Sequence, residues 1–150
     1  MEKEQFFEDY VVGAQRETFG RTITEADITI HAGHSGDYYP HHVDVEFCKT
    51  QPFERPIAHG TMTFAIGIGL TAREINPQAM TYGYDRLRFL RPVFAGDTIR
   101  TTVTIKSKEV DEKRPGYGRV IEATEVTNQH GEAVMVVEHI LLVKRQEETG

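Results

Sequence analysis

The segment from Gly60 to about Ile75 has almost no polar face. Met62, Phe64, Ala65, Ile66, Ile68 and Leu70 cover nearly its whole circumference at helical spacing, and a helix apolar all round is a buried one. Asn76-Pro77 ends it, because proline lacks the N–H that would continue the ladder. Gly67 and Gly69 each cost about 1 kcal/mol in helix propensity, so close packing against a neighbour is expected to compensate at both. At 150 residues the chain is long enough to bury such a helix within one domain, residues 1-150, with roughly 68–70% of its unfolded surface removed from water.

The partners of that helix read as strands. Ile99, Thr101, Val103 and Ile105 alternate with Arg100, Thr102, Thr104 and Lys106, the period-2 pattern of a half-buried strand. Residues 119–128 and 133–143 flank a turn at Gln129-His130-Gly131 and predict an antiparallel hairpin. Only Glu138 and His139 interrupt the run from Val134 to Val143, which places it centrally in the sheet. One long buried helix against an antiparallel sheet is an α+β layout. A first helix opens at Thr24, with Asp27 at its third position, Ile23 and Ile28 as a hydrophobic staple, and Gly33 or Gly36 as its stop. The stretch from Ser35 to Arg55 reads as irregular and polar.

Net charge is -6, which argues against a nucleic-acid binder but leaves room for an anionic small ligand held by a few local cations. The single cysteine, Cys48, forms no intrachain disulfide and suits a reducing compartment. With neither a signal-peptide pattern at Met1–Gln5 nor a membrane-length apolar run, a cytoplasmic protein without membrane partners is expected. The charged end from Lys144 to Gly150 reads as a solvated tail.

Chemistry concentrates between Ser35 and Gly60. Asp37 and His42 stand five positions apart in Ser-Gly-Asp-Tyr-Tyr-Pro-His-His. Pro40 fixes its own φ and pushes Tyr39 toward an extended shape, so the path between the two side chains is stiff. A carboxylate and an imidazole held over a pocket can share a water, one taking a proton while the other supplies one. The bland alternative makes Asp37 a turn residue and His42 a satisfied surface histidine. A second feature follows: Ile57-Ala58-His59-Gly60 leads straight into the buried helix. The first N–H groups of a helix have no internal partner and carry partial positive charge, and glycine lets a ligand oxygen approach them. Such a donor can hold a thioester carbonyl as it becomes an enolate, although Gly60 can also serve helix packing alone.

Weaker patterns carry less. Gly67-x-Gly69-x-x-Ala72 formally matches a dinucleotide fingerprint but lacks the preceding strand and the distal acid. His31, His34, His41, His42 and His59 show no metal-ligand spacing, so no metal is expected. Gly33-His34-Ser35-Gly36 falls short of a nucleophile elbow, since Asp37 takes the last glycine's place. Arg86, Arg88, Arg91, Lys106 and Lys108 could meet CoA phosphates, but a solvated strand face explains them as well.

Three motifs in order carry a resemblance: Gly36-Asp37-x-x-Pro40-x-His42-x-Asp44, then Ala58-His59-Gly60, then Phe89-x-x-Pro92-Val93-x-x-Gly96-Asp97. From Phe19 to Val143 the chain resembles the MaoC-like hydratases, also called (R)-specific enoyl-CoA hydratases. The resemblance implies a hot-dog fold, an antiparallel sheet wrapped around one long central helix, in a homodimer or dimer-based oligomer. It implies an acyl-CoA substrate, (R)-specific addition or removal of water, and no cofactor beyond the CoA of the substrate itself. In the family, the residues matching Asp37 and His42 hold and activate the catalytic water, and the glycine matching Gly60 donates its N–H to the thioester. His59 and Tyr39 are expected to border the substrate. Tyr39 departs from the family's usual asparagine; with Tyr38 and His41 it points to a polar or branched acyl group, such as a short or dicarboxylic one. A hot-dog thioesterase is the alternative enzyme, but Thr61 to Arg73 holds no acid for the hydrolytic role. A non-catalytic acyl-CoA-binding module is the alternative outside catalysis, and the intact Asp37 and His42 count against it.

Overall fold

The computed structural model describes residues 4–72 and 76–146. After a short 3-10 turn, Phe7–Asp9, the chain forms β1 (Gln15–Glu17), β2 (Arg21–Thr22) and α1 (Glu25–Ser35). The short helices α2 (Pro40–Val43) and α3 (Val45–Cys48) precede the central helix α4 (Gly60–Thr71). Four long strands follow: β3 (Ala79–Phe89), β4 (Thr98–Val110), β5 (Tyr117–Thr127) and β6 (Ala133–Lys144). They form an antiparallel sheet in the order β1-β4-β5-β6-β3, and β2 also pairs with β4. No helix among the described residues is long and apolar enough to cross a membrane.

The core forms where one face of the sheet meets α4. Met62 and Leu70 of the helix cluster with Ile99, Val126, Val134, Met135 and Val137 of the strands, all buried. The helix can lie this close because Gly67 has no side chain: a Cβ there would stand 2.6 Å from Val126 Cγ2. Thr101, fully buried, donates its hydroxyl to the Gly67 carbonyl at 2.8 Å and ties helix to sheet at the same point. Gly69 differs from expectation. It is exposed, and nothing lies within 4 Å of where its Cβ would be, so no packing compensates for it.

The start of α1 forms as its sequence dictates. Thr24 accepts from the Asp27 N–H, the Asp27 carboxylate accepts from the Thr24 N–H, and Gly36 closes the helix at φ 77°. The staple residues Ile23 and Ile28 both join the main core. The β5–β6 hairpin turns at Gly131, φ 75°, and β6 is central, between β5 and β3.

Two expectations change. The stretch from Ser35 to Arg55 is not wholly irregular: Pro40 at the first position starts α2, and Asp44 caps α3 by accepting from the Phe47 N–H. β3 showed no period-2 signal because its register with β6 shifts twice, between Thr81 and Gly83 and between Asp85 and Arg88, with Arg86 at φ 54°. The central helix ends at Thr71, where the Ala72 N–H turns back to the Gly69 carbonyl, short of the expected stop at Asn76-Pro77; residues 73–75 lie outside the described residues, as do residues 147–150 of the expected tail.

The two glycines give a paired test by thermal unfolding. Gly67→Ala should destabilise the protein, because overpacking costs about 1–3 kcal/mol against the roughly 1 kcal/mol of helix propensity gained. Gly69→Ala should stabilise it by up to about 1 kcal/mol. Equal shifts for the two would contradict the packing described.

Candidate active site

The three motifs meet at the N-terminal end of α4. Asp37 sits just past α1 in a loop fixed by its own hydrogen bonds. The Asp37 N–H donates to Ser35 Oγ at 3.1 Å, and its carboxylate accepts from the Tyr39 N–H at 3.1 Å. His42 projects from α2, whose stiff start at Pro40 sets its direction. Its Nδ1–H donates to the Ile57 carbonyl at 2.7 Å, and this bond fixes the tautomer and leaves Nε2 as an acceptor.

His59 supports both. It is 1% exposed, its ring stacks on that of His42 at 3.8 Å between centroids, and its Nε2–H donates to the backbone carbonyl of Asp37 at 2.8 Å. His31 leans on His59 from α1, with ring centroids 4.7 Å apart, and its Nε2 is hydrogen-bonded to Thr61 Oγ1 at 2.9 Å. One ligand-type atom from each of Asp37, His42 and His59 lies within 4.8 Å of the other two, close enough for a single water to bridge the aspartate and His42. The same trio could be read as a cation site. Imidazoles ligate through in-plane lone pairs, however, and the two rings lie face to face at 22°, so their nitrogens point side by side rather than converging.

Gly60 is the first residue of α4. The Met62 and Thr63 N–H groups turn back to the His59 carbonyl, and among the described residues those of Gly60 and Thr61 meet no acceptor. Phe89 explains the glycine sterically, since its ring carbons would lie 2.8–3.0 Å from a Cβ at position 60. Gly60 thus admits Phe89 closely, and its N–H meets no acceptor among the described residues. The third motif builds the frame behind it. The Val93 carbonyl accepts from the Ala58 N–H at 2.7 Å, and the Asp97 carboxylate accepts from the Phe94 N–H at 2.9 Å.

The Tyr39 side chain is exposed. Its ring stacks on His41 at 4.5 Å and 8°, and His41 packs in turn against Phe47 and Phe53. Its backbone N–H, not its side chain, is what reaches Asp37. Tyr38 and Arg55 instead line a cavity of about 490 Å³ beside His42, with Ile28, Ala32 and Pro56. The sequence reading missed Arg55 there, and also His31 and Thr61; only their proximity to the motifs could have pointed to them. Of the five cations considered for CoA, Arg86 and Lys106 pair with Glu138, Arg91 with Glu132 and Lys108 with the carbonyls of Phe7 and Glu8, while Arg88 donates only to the Leu87 carbonyl beside it.

Residues 9–127 match the family model described as the MaoC like domain. The (R)-specific enoyl-CoA hydratase of Rhodospirillum rubrum is 30% identical over 132 residues, 88% of this chain and 91% of that protein. Protein MaoC of Klebsiella aerogenes is 35% identical over 120 residues, 75% of this chain, but the match spans only 36% of its own length. Among solved structures, an Archaeoglobus protein described as a monoamine oxidase regulatory protein superposes with a TM-score of 0.89 at 33% identity, covering 95% of this chain and 96% of its own. A MaoC-like dehydratase from Rhodospirillum rubrum gives 0.84 at 26%, covering 95% and 98%. A double-hotdog protein of Mycobacterium tuberculosis gives 0.83 at 18%, covering 98% of this chain and 46% of its own; this similarity bears on the fold alone. The sheet and its central helix are a hot-dog fold.

Burial pushes the His42 imidazole below its ordinary value of 6.5, outweighing the Ile57 carbonyl that favours its charged form, and His59 adds to the depression. The unfolded chain therefore takes up a proton that the native state resists, and stability is lost as pH falls through about 6.5. An NMR titration of the ring should place its midpoint below 6.5. Since the Asp37 charge acts to raise it, Asp37→Asn should lower it further. A midpoint at or above the ordinary value would contradict this account.

Proposed function

Because this chain belongs to the MaoC-like domain family, we propose that Asp37 and His42 are the proton-transfer pair with which it adds water to, or removes it from, a 2-enoyl-CoA thioester. The protein is a hydro-lyase of the hydratase and dehydratase class. The observation that carries the assignment of roles is the meeting of Asp37 and His42 beside a helix N-terminus whose first N–H is free.

The chemistry follows from that geometry. A water held between the pair donates one hydrogen to the Asp37 carboxylate and the other to His42 Nε2, which leaves an oxygen lone pair for C3 of the enoyl group. As the C–O bond forms, one water proton passes to the pair, and the pair returns a proton to C2. Asp37 is the base and His42 its partner. Negative charge gathers on the thioester oxygen, which accepts from the Gly60 N–H; one such donor is worth about 2.7–4 kcal/mol in a transition state. His59 holds the pair through the Asp37 carbonyl and the His42 ring. We assign addition as (R)-specific on the name borne by the Rhodospirillum relative. No metal or other cofactor takes part in this scheme, and the chain acts as one domain. A reducing, cytoplasmic setting belongs to the same reading and rests on the buried free thiol of Cys48; cell fractionation tests it.

Within this class, a short or dicarboxylic acyl group is the finer reading. Tyr38 and Arg55 on the wall beside His42 support it, the Arg55 guanidinium lying 3.9 Å over the Phe94 ring. Hydrolysis finds less support, since α4 carries no acid in its first turn.

A homodimer completes the proposal. β3 is a sheet edge, and it exposes Met80, Tyr82 and Phe89; such an edge is a template for pairing with a second copy. Sedimentation should give a dimer, with Tyr82→Lys shifting it toward monomer. A monomeric wild type at micromolar concentration would remove this part.

The reaction is tested by following loss of the conjugated thioester absorbance of crotonyl-, mesaconyl- and itaconyl-CoA, with free thiol assayed in parallel. Hydration without thiol release is expected, reduced by at least about 100-fold in Asp37→Asn and in His42→Ala and unchanged by a chelator. Thiol release would identify a thioesterase. A preference for plain straight-chain substrates would discard the short or dicarboxylic reading alone.

A further inference from the structure

The first turn of α4 carries a side chain that the hydration scheme leaves unused. Thr61 is the second residue of the helix and is exposed. A threonine in a helix often turns its hydroxyl onto the carbonyl one turn back. Here that carbonyl, of Ile57, already accepts from His42 Nδ1–H, and Thr61 Oγ1 is instead hydrogen-bonded to His31 Nε2 at 2.9 Å. Nor does the hydroxyl cap the helix, whose N-cap is His59, without a side-chain capping bond. Among the described residues His31 is the one partner of the hydroxyl, and the Thr61 N–H, like that of Gly60, meets no acceptor.

His31 ties this threonine to the rest of the site. Its ring lies against that of His59 at 4.7 Å, and His59 stacks in turn on His42. Its carbonyl accepts from Ser35 Oγ at 2.6 Å, and Ser35 Oγ accepts from the Asp37 N–H. One turn of α1 therefore holds both Thr61 and the loop that carries Asp37. Burial, with His59, His34 and His42, keeps the His31 imidazole below its ordinary value of 6.5 against the pull of Asp37. A neutral ring can donate or accept at Nε2, and among the described residues no partner on Nδ1 fixes the choice. The surroundings of the helix end differ from one residue to the next. Phe89 of β3 lies against Gly60, whereas Thr61 turns to α1.

We propose that the Thr61 hydroxyl is a second donor to the thioester oxygen, beside the Gly60 N–H, and that His31 is the positioning residue that aims it; the inference rests on the thioester being held at Gly60. When His31 Nε2–H donates to Thr61 Oγ1, the hydroxyl keeps its own proton for a third atom. Negative charge gathering at the helix N-terminus favours that tautomer, because it turns an O–H dipole toward the charge. With Nε2 as the acceptor, the same proton would be spent on the imidazole. A purely structural latch between α1 and α4 needs the His31–Thr61 bond but no outward proton, so the two roles differ in what they do to a ligand whose charge changes. Valine at position 61 keeps the branched shape and both backbone N–H groups and removes only the hydroxyl.

Acetoacetyl-CoA tests the inference without turnover. Loss of its C2 proton to solvent gives an enolate with its own ultraviolet absorbance, and donors at the thioester oxygen favour that form. Titrated into the full chain, it should bind to the wild type as the enolate. Thr61→Val should weaken enolate binding about 10- to 100-fold, while Thr61→Ser, which keeps the hydroxyl, should restore it. His31→Phe should show a similar loss, with little more when combined with Thr61→Val, since the two side chains act as one unit. An enolate signal unchanged in Thr61→Val would overturn the inference, as would its absence from the wild type. Equal weakening of the keto and enolate forms would mark a latch and overturn it too. If His31→Phe fails to fold by its melting curve, the two threonine variants still decide. Crotonyl-CoA hydration is read separately: a chain that binds the enolate but does not hydrate crotonyl-CoA loses the proposed reaction and keeps the second donor.

Discussion

The contact between Gly67 and Val126, locked by the Thr101 hydroxyl on the Gly67 carbonyl, sets how close α4 lies to the sheet. The rest of the molecule depends on that distance. With α4 seated there, Met62 and Leu70 meet the buried faces of β4, β5 and β6, and the helix axis is fixed along the sheet. Gly60 then has one place to stand, under the Phe89 ring at the end of β3. A methyl group at position 67 would act at both ends of the helix, because a rigid rod cannot be lifted at its middle without moving its termini.

The loop that carries Asp37 and His42 is held to that rod by histidines rather than by apolar packing. Asp37 is exposed and α2 buries no residue, so hydrophobic burial contributes little to their placement. His59 supplies what is missing, as the residue that joins the helix end, the Asp37 backbone and the His42 ring. Because His59 immediately precedes Gly60, the donor proposed for the thioester oxygen and the support of the proposed proton-transfer pair belong to one short piece of backbone. Chemistry that needs a water and an oxyanion donor in fixed relation gains from that economy, since a displacement of His59 moves both together.

Most of this was legible in the sequence where local pattern and tertiary role agree. The α1 cap, the start of the central helix and the β5–β6 hairpin each have a short-range signal, and each stands where that signal placed it. β3 was silent because two register shifts erase its alternation. Gly69 was misread because propensity records that a glycine is unfavourable in a helix but not whether a neighbour stands beside it. Glu138 and His139 looked like one interruption of an apolar strand. The pleat separates them: Glu138 pairs with Lys106 and Arg86 on one face, while His139 turns inward to Glu122. No window along one strand shows that partner, which lies on β5.

The departure at Tyr39 has a bounded consequence for the same reason. Position 39 touches Asp37 through its backbone N–H, a group that every residue except proline carries. The Asx-type turn that orients the carboxylate therefore survives the change from asparagine to tyrosine. What the tyrosine side chain adds is its stack on His41, which braces α2 against Phe47 and Phe53. Side chains able to meet an acyl group have to be sought where they face open space, as Tyr38 and Arg55 do beside His42.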